Sequence, residues 1–216
     1  MILYDIHTHK LEEEISNDYT VKSILSTSPS QYNNLEKSNL ERCYSCGVHP
    51  WSADNADLEI ESLYKIVKNK NIVAVGEVGL DKFKGPDLKI QQETFRKQIE
   101  IAIEINIPLI IHCVKAWDEL IALYKEYKSD IPWIIHGYRG NPEQTKQLSK
   151  LGFMFSIGEK FNAESLKFIP DNSMFCETDI SDVSICHVYQ AISADMEVDF
   201  EQFVYKIADN AQNIFK

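Results

Sequence analysis

The feature that most limits what this chain can become is the regular alternation of short apolar runs with segments of helical period. The runs are Ile2 to Ile6, Val21 to Thr27, Arg42 to Cys46, Ile72 to Val78, Leu109 to His112, Trp133 to His136, Phe153 to Ser156 and Met174 to Glu177. Several are continuously hydrophobic, which suits parallel strands covered on both faces and not the half-wet strands of a sandwich. Between them, Asp87 to Asn106 sets Leu88, Phe95, Ile99, Ala102 and Ile103 on one helix face, with Pro86-Asp87 as its start and Asn106, followed by Pro108, as its end. Asn141, Pro142 and Gln144 read as an N-cap, a first-turn Pro and a capping-box partner before a helix that stops at Gly152. Asp199 with Gln202 repeats the signal ahead of a last helix that buries Phe203, Val204, Ile207, Ala211, Ile214 and Phe215.

Repeated strand-helix alternation builds a parallel sheet, and right-handed crossovers leave an open doubly wound sheet or a closed barrel. Barrels of this kind begin at about 200 residues, so 216 residues suit a compact one. The polar residues decide: they gather at the C-terminal ends of many different strands, whereas an open sheet concentrates them at one switch point. The expectation is an α/β fold, a compact eight-stranded parallel TIM-type barrel forming a single domain over residues 1–216. Its first unit is expected to be shortened to a loop, because the stretch from His9 to Val21 is too short and broken for a crossover helix.

Composition narrows the partners. With 22 Lys and Arg against 33 Asp and Glu, the formal charge is −11. Such a chain has no global cationic field for condensing on DNA or an anionic membrane, so a nucleic acid must be met through local charge such as bound metal ions. No apolar run approaches the ~20 residues that span a bilayer, and charged residues follow too soon after Met1 for a signal peptide, so the expected location is cytoplasmic. The five Cys read as reduced thiols. Cys43 and Cys46, three apart on a strand, point to opposite faces and read as small half-buried residues, not as a redox or zinc pair.

Residues two apart on a strand share a face, so His7 and His9 at the end of the first strand stand side by side and can chelate one cation. That pair alone is a modest signal, and any single imidazole or carboxylate at a strand end can equally be a hydrogen-bonded core group. The set carries the weight. His112 and His136 each close a hydrophobic strand, Glu77 stands near the end of another, and Asp179 follows the last. These donors suit hard divalent metals, and their number suits two ions, with Glu77 placed to bridge them. Two ions about 3.5–4 Å apart clamp the attacking and leaving oxygens of a displacement at phosphorus, or polarise a carbonyl.

The ordered motifs resemble a known family. DIHTH from Asp5, GVHPW from Gly47, VGEVGLD from Val75, PLIIHCVKA from Pro108, His136 followed by Gly-Tyr-Arg-Gly, and ETD from Glu177 are similar to those of the TatD family of metal-dependent hydrolases, within the amidohydrolase superfamily. QETFRKQIEIAIEINIP and the tail IADNAQNIF extend the likeness over nearly the whole chain. The resemblance implies an α/β barrel and a hydrolase using two divalent ions (Mg, Mn or Zn), acting on DNA phosphodiesters, often exonucleolytically. It implies that His7, His9 and Asp179 hold one ion, His112 and His136 the second, and that Glu77 bridges. Asp179 is then also the group that orients water and takes its proton. His49 is implied on the substrate side, with a structural role as the alternative. Trp51 either stacks on a base or covers the rim. Lys115 and Arg139 are candidate phosphate contacts or solvated charges, and Lys115 lacks the fork of an Arg.

The chain departs from the family's pattern between His9 and Gly47, in the short Ile180 to Ser184 loop, at Trp51 and at HGYRG, all on the substrate side. Metal-dependent hydrolysis is therefore the firmer expectation and DNA the more specific one. The rival readings are an enzyme of the same superfamily cleaving a small amide, lactone or phosphate ester, and a metal-binding partner protein without turnover. A phosphoesterase of the PHP group also begins with HxH but lacks the later motifs. No obligate protein partner or membrane association is expected, and the chain is expected to be a monomer. His187 falls in no motif and reads as structural or exposed.

Overall fold

In a computed structural model of the chain, residues 1–10, 16, 18–35 and 42–215 are described. Eight strands follow one another in chain order along one sheet, and every registered pair is parallel. This is the eight-stranded α/β barrel topology that the alternation predicts, and all eight apolar runs are strands. The chain divides into two compact units, Met1–Leu25 with Ile134–Lys216, and Ser26–Trp133.

In the first unit, β1 (Ile2–Thr8) pairs with β2 (Thr20–Thr27) from Ile2↔Thr20 onward. β6 (Trp133–Ile135), β7 (Met154–Ile157) and β8 (Met174–Cys176) form a second parallel ladder. A parallel bridge between Thr8 and Asp179 then sets the last strand of the chain beside the first. The helices α5 (Pro142–Leu151), α6 (Ala163–Leu166), α7 (Ile185–Asp195) and α8 (Phe200–Ile214) belong to this unit. Asn141 caps α5 by accepting from the Gln144 N–H, and Gly152 ends it in the left-handed conformation that glycine adopts without strain. α8 buries Phe203, Val204, Ile207 and Ala211. Ile214 and Phe215, expected in the same stripe, are only half-buried because the helix ends at Ile214. The fully buried Tyr189 of α7 accepts from Tyr4 N and donates to Tyr4 O, both at 3.0 Å, which fixes the backbone of β1 two residues before Ile6.

The second unit holds β3 (Cys43–Cys46), β4 (Ile72–Asp81), β5 (Leu109–Val114), and the helices α1 (Pro29–Asn33), α2 (Asp57–Ile66), α3 (Leu88–Ile105) and α4 (Trp117–Tyr127). All ten residues of β4 are buried, as a central parallel strand requires. The strand runs to Asp81, three residues past its predicted end, and β5 likewise passes His112 to reach Val114. At the Gly79↔His112 pairing β4 comes so close to β5 that a Cβ on Gly79 would lie 2.0 Å from the His112 carbonyl oxygen, and φ there is +137°. Only glycine fits, and the close approach brings Glu77 and His112 together. α3 begins at Asp87, which accepts from Lys89 N, and ends at a left-handed Asn106, as its sequence predicts.

Cys43 is exposed and Cys46 buried, so the two thiols do face opposite ways. The shortened connection expected after His9 falls largely on residues 11–15 and 17, outside the described residues. Among the described residues, no helix is long and apolar enough to cross a membrane.

Candidate metal centre

Each unit brings its own donors together. In the first, His7 Nε2 and His9 Nε2 stand 3.7 and 3.6 Å from the same oxygen, Asp179 Oδ1. These spacings are too long for hydrogen bonds. They approach the edge, about 3.4 Å, of a tetrahedron of donors around an ion with bonds of about 2.1 Å. The donor chemistry, two imidazoles and a carboxylate, also fits a divalent ion. Asp179 is placed by its backbone: its N–H donates to His7 O, its carbonyl accepts from His9 N, and its φ is +51°. A left-handed conformation at a non-glycine residue is strained, and here the bridge to β1 holds it. His9 is exposed, while His7 is fully buried.

Beneath these donors lie two buried carboxylates. Asp5 accepts from Thr178 N at 3.0 Å and Thr178 Oγ1 at 2.6 Å. Burial nevertheless pushes its carboxyl up to about 7 against those bonds. Glu177 accepts from Gly137 N at 2.7 Å and stands 3.4 Å from His136 Nδ1. Burial raises its carboxyl as well, more than the His136 contact lowers it. His136 packs against His7 with ring centroids 4.2 Å apart.

In the second unit, Glu77 Oε1 lies 2.9 Å from His112 Nδ1 and 3.1 Å from His49 Nε2. The two imidazoles play different parts. His49 Nδ1 accepts from Trp51 N at 3.1 Å, capping the short 3-10 turn Pro50–Ser52. The ring proton of neutral His49 therefore sits on Nε2 and faces Glu77, within a group of donors, His49, Glu77 and His112, that could hold an ion. His112 faces a second carboxylate, with Nε2 3.1 Å from Asp81 Oδ2. Burial acts to raise the Asp81 carboxyl, but hydrogen bonds from Trp51, Phe83 N and His112 outweigh it and leave the group below its ordinary value. The carboxylate is ionised, and His112 Nε2 must carry the proton that lies between them. His112 thus stands with one ring nitrogen on each of two carboxylates, Nδ1 towards Glu77 Oε1 and Nε2 towards Asp81 Oδ2.

The flanking residues are placed as follows. Trp51 is half exposed, its Nε1 donates to Asp81 Oδ2 at 2.7 Å, and Lys84 Nζ lies 4.2 Å from its ring centroid. Lys115 is exposed just after β5, in a left-handed conformation with φ +56°, and Arg139 is exposed three residues after His136. His187 is exposed on α7. Asp5, Asp81, Glu177 and two glutamines of α3 were not singled out by their sequence. Gln98 brackets Val48, donating to its carbonyl at 3.0 Å and accepting from its N–H at 2.7 Å, beside His49. Gln91, two turns earlier on the same face, does the same for Asp81 at 2.9 and 2.7 Å. The available signal was their period of seven on the helix face that also carries Phe95, Ile99 and Ala102.

A family model described as TatD related DNase matches residues 5–216. An uncharacterized metal-dependent hydrolase of Escherichia coli K12, YcfH, is 34% identical over 145 residues, covering 63% of this chain and 54% of that protein. A putative deoxyribonuclease TATDN1 homolog of Enterocytozoon bieneusi is 32% identical over 162 residues, covering 67% and 57%. The chain thus spans about half the length of the first curated relatives it matches. Among solved structures, the TatD homolog YjjV of Escherichia coli K12 superposes with a TM-score of 0.81 at 19% identity, over 99% of this chain and 97% of that one, a likeness of fold.

Proposed function

The chain belongs to the family of TatD-related DNases, and from that premise and the geometry of its donors we propose that it is a divalent-metal-dependent phosphodiesterase that trims DNA from an end. The observation that carries the reading is Asp179, a partly exposed carboxylate whose Oδ1 stands between two histidine nitrogens at 3.6 and 3.7 Å. His7, His9 and Asp179 would hold one ion, and Glu77 with His112 would contribute to a second, for which His136 is the further candidate ligand. Bound divalent ions supply positive charge at the phosphodiester and make water acidic enough to attack at neutral pH. In a chain with a formal charge of −11, such local positive charge is what a polyanion would meet.

The protein's own groups do the rest. Asp179 orients the attacking water and takes its proton at a carboxylate oxygen. His49, with its proton on Nε2 at 3.1 Å from Glu77, would donate to a phosphate oxygen in exchange for that contact. Trp51 offers an aromatic face at the rim. Lys115 and Arg139 contribute phosphate contacts, with the Lys as a point charge and the Arg as a fork. A cytoplasmic location and action as a monomer without an obligate protein partner belong to the same proposal.

The test is degradation of an end-labelled single-stranded oligonucleotide by purified protein with added Mg or Mn, beside an Asp179→Asn control. Metal-dependent trimming that vanishes in the control supports the reading, and the underlying DNA affinity should fall steeply with salt. A protein that binds metal yet leaves the oligonucleotide intact is not a DNase. The net charge of −11 then favours a small amide, lactone or phosphate ester.

A further inference from the structure

Asp81 is held more completely than any other acidic side chain near the donors of the second unit. Its backbone N–H donates to Gln91 Oε1 and its carbonyl accepts from Gln91 Nε2, at 2.7 and 2.9 Å. One carboxylate oxygen, Oδ1, accepts from Phe83 N at 2.8 Å and Lys84 N at 3.1 Å. The other, Oδ2, accepts from the Trp51 indole at 2.7 Å and faces His112 Nε2 at 3.1 Å. Three of these four partners are N–H groups that can only donate. The residue is 3% exposed, so water does not compete for its oxygens.

We infer that Asp81 is a positioning residue: it fixes His112 in the Nε2-protonated tautomer, so that Nδ1 is presented as a ligand on the Glu77 side, and it links that choice to the Trp51 indole through a shared oxygen. A carboxylate behind a ligating histidine sets the ring's orientation and raises the basicity of the ligating nitrogen, and removing such a partner weakens metal binding by about 10–100-fold. Two features of this chain make the device specific. Gly79 allows β4 to lie against the His112 carbonyl, which fixes where the ring starts. Gln91 then fixes where the Asp81 carboxylate starts, so both ends of the Asp81–His112 contact are anchored by the backbone. Because Trp51 and His112 meet the same oxygen, a ligand that draws the indole away leaves Asp81 Oδ2 to His112 alone. Trp51 and His112 thus share one acceptor, whose charge and not the indole sets the tautomer.

The inference rests on the reading of His112 as a ligand, and one experiment separates the two. In 15N-labelled full-length protein freed of metal at pH 8, long-range proton–nitrogen correlations report which imidazole nitrogen of His112 bears the proton. The expected result is Nε2–H in the parent, a mixture of tautomers in Asp81→Asn, and zinc affinity about 10–100-fold weaker in that variant. In Trp51→Phe the tautomer should persist, since Asp81 keeps its charge. A parent whose His112 resonances stay unmoved on adding zinc overturns the ligand reading. A parent whose resonances move while the proton sits on Nδ1 overturns the role of Asp81 alone, as does an Asp81→Asn protein that keeps both tautomer and affinity. If Asp81→Asn does not fold, the parent spectrum still decides.

Discussion

Gln98→Leu is the substitution that most directly asks whether α3 holds the loop carrying His49. Leu is close in volume to Gln, so the change opens little space, but it removes both partners of Val48. Val48 N–H loses an acceptor at 2.7 Å and Val48 C=O a donor at 3.0 Å. Gln98 is fully buried and Val48 is 3% exposed, so water does not replace what is lost. Each stranded buried backbone group costs about 1–3 kcal/mol, and the gain from burying an extra apolar side chain returns part of it. The expected net destabilisation is about 3 kcal/mol. With a urea m-value of about 2–3 kcal/mol/M, the midpoint should fall by about 1–1.5 M. Urea unfolding followed by far-UV circular dichroism reads this, with Gln92→Leu, half-buried on the same helix, as a control expected within about 0.5 kcal/mol of the parent. A Gln98→Leu protein as stable as that control would refute the argument, because it would mean that the Val48 amide finds equal partners without Gln98.

Three further outcomes follow from the same structure. Gly79→Ala places a Cβ 2.0 Å from the His112 carbonyl oxygen at φ +137°, which should cost about 4 kcal/mol or more and lower Tm by about 8–16 °C in calorimetry, if the protein accumulates at all. Asp179→Asn should keep the parent's Tm within about 2 °C, since Asn tolerates the left-handed backbone, while Asp179→Ala should lose about 1 kcal/mol more; circular dichroism melts compare the two. In brief alkylation at pH 8, mass spectrometry should find exposed Cys43 labelled ahead of Cys46, Cys113 and Cys176, because burial pushes the thiols of all three up, that of Cys113 to about 12.

The strands were legible because a buried parallel strand leaves a simple mark: four or more apolar residues in a row, as at Ile72 to Val75, admit few other readings. Helix ends at Asn106, Asn141 and Gly152 were legible for a similar reason, since each uses a residue with a local preference for that cap. The gathering of His7 and His9 with Asp179 was also visible, because side chains at strand ends of one sheet share a rim. Strand length past Val78 was not, since Gly79 ordinarily weakens a strand and here is needed for a close approach. The supporting carboxylates were harder still. Asp5, Asp81 and Glu177 differ from surface acids only in being buried, and burial is decided by residues elsewhere in the chain. Which ring nitrogen of His49 and of His112 meets which neighbour lay beyond the sequence, because it depends on groups brought together from elsewhere in the chain.

The bridge between β1 and β8 bears on how the protein is made. Thr8 meets Thr178 across 170 positions of sequence, and at about 5–20 residues per second the ribosome needs about 10–30 s to cover that distance. For that time His7 and His9 are present in a nascent chain that lacks Asp179. The segment Ser26–Trp133, by contrast, is synthesised without interruption and carries Glu77, Asp81 and His112 within itself. The two sets of donors are thus completed at different moments, the internal one first, and a translating chain cannot assemble the His7, His9 and Asp179 group until residue 179 has been added.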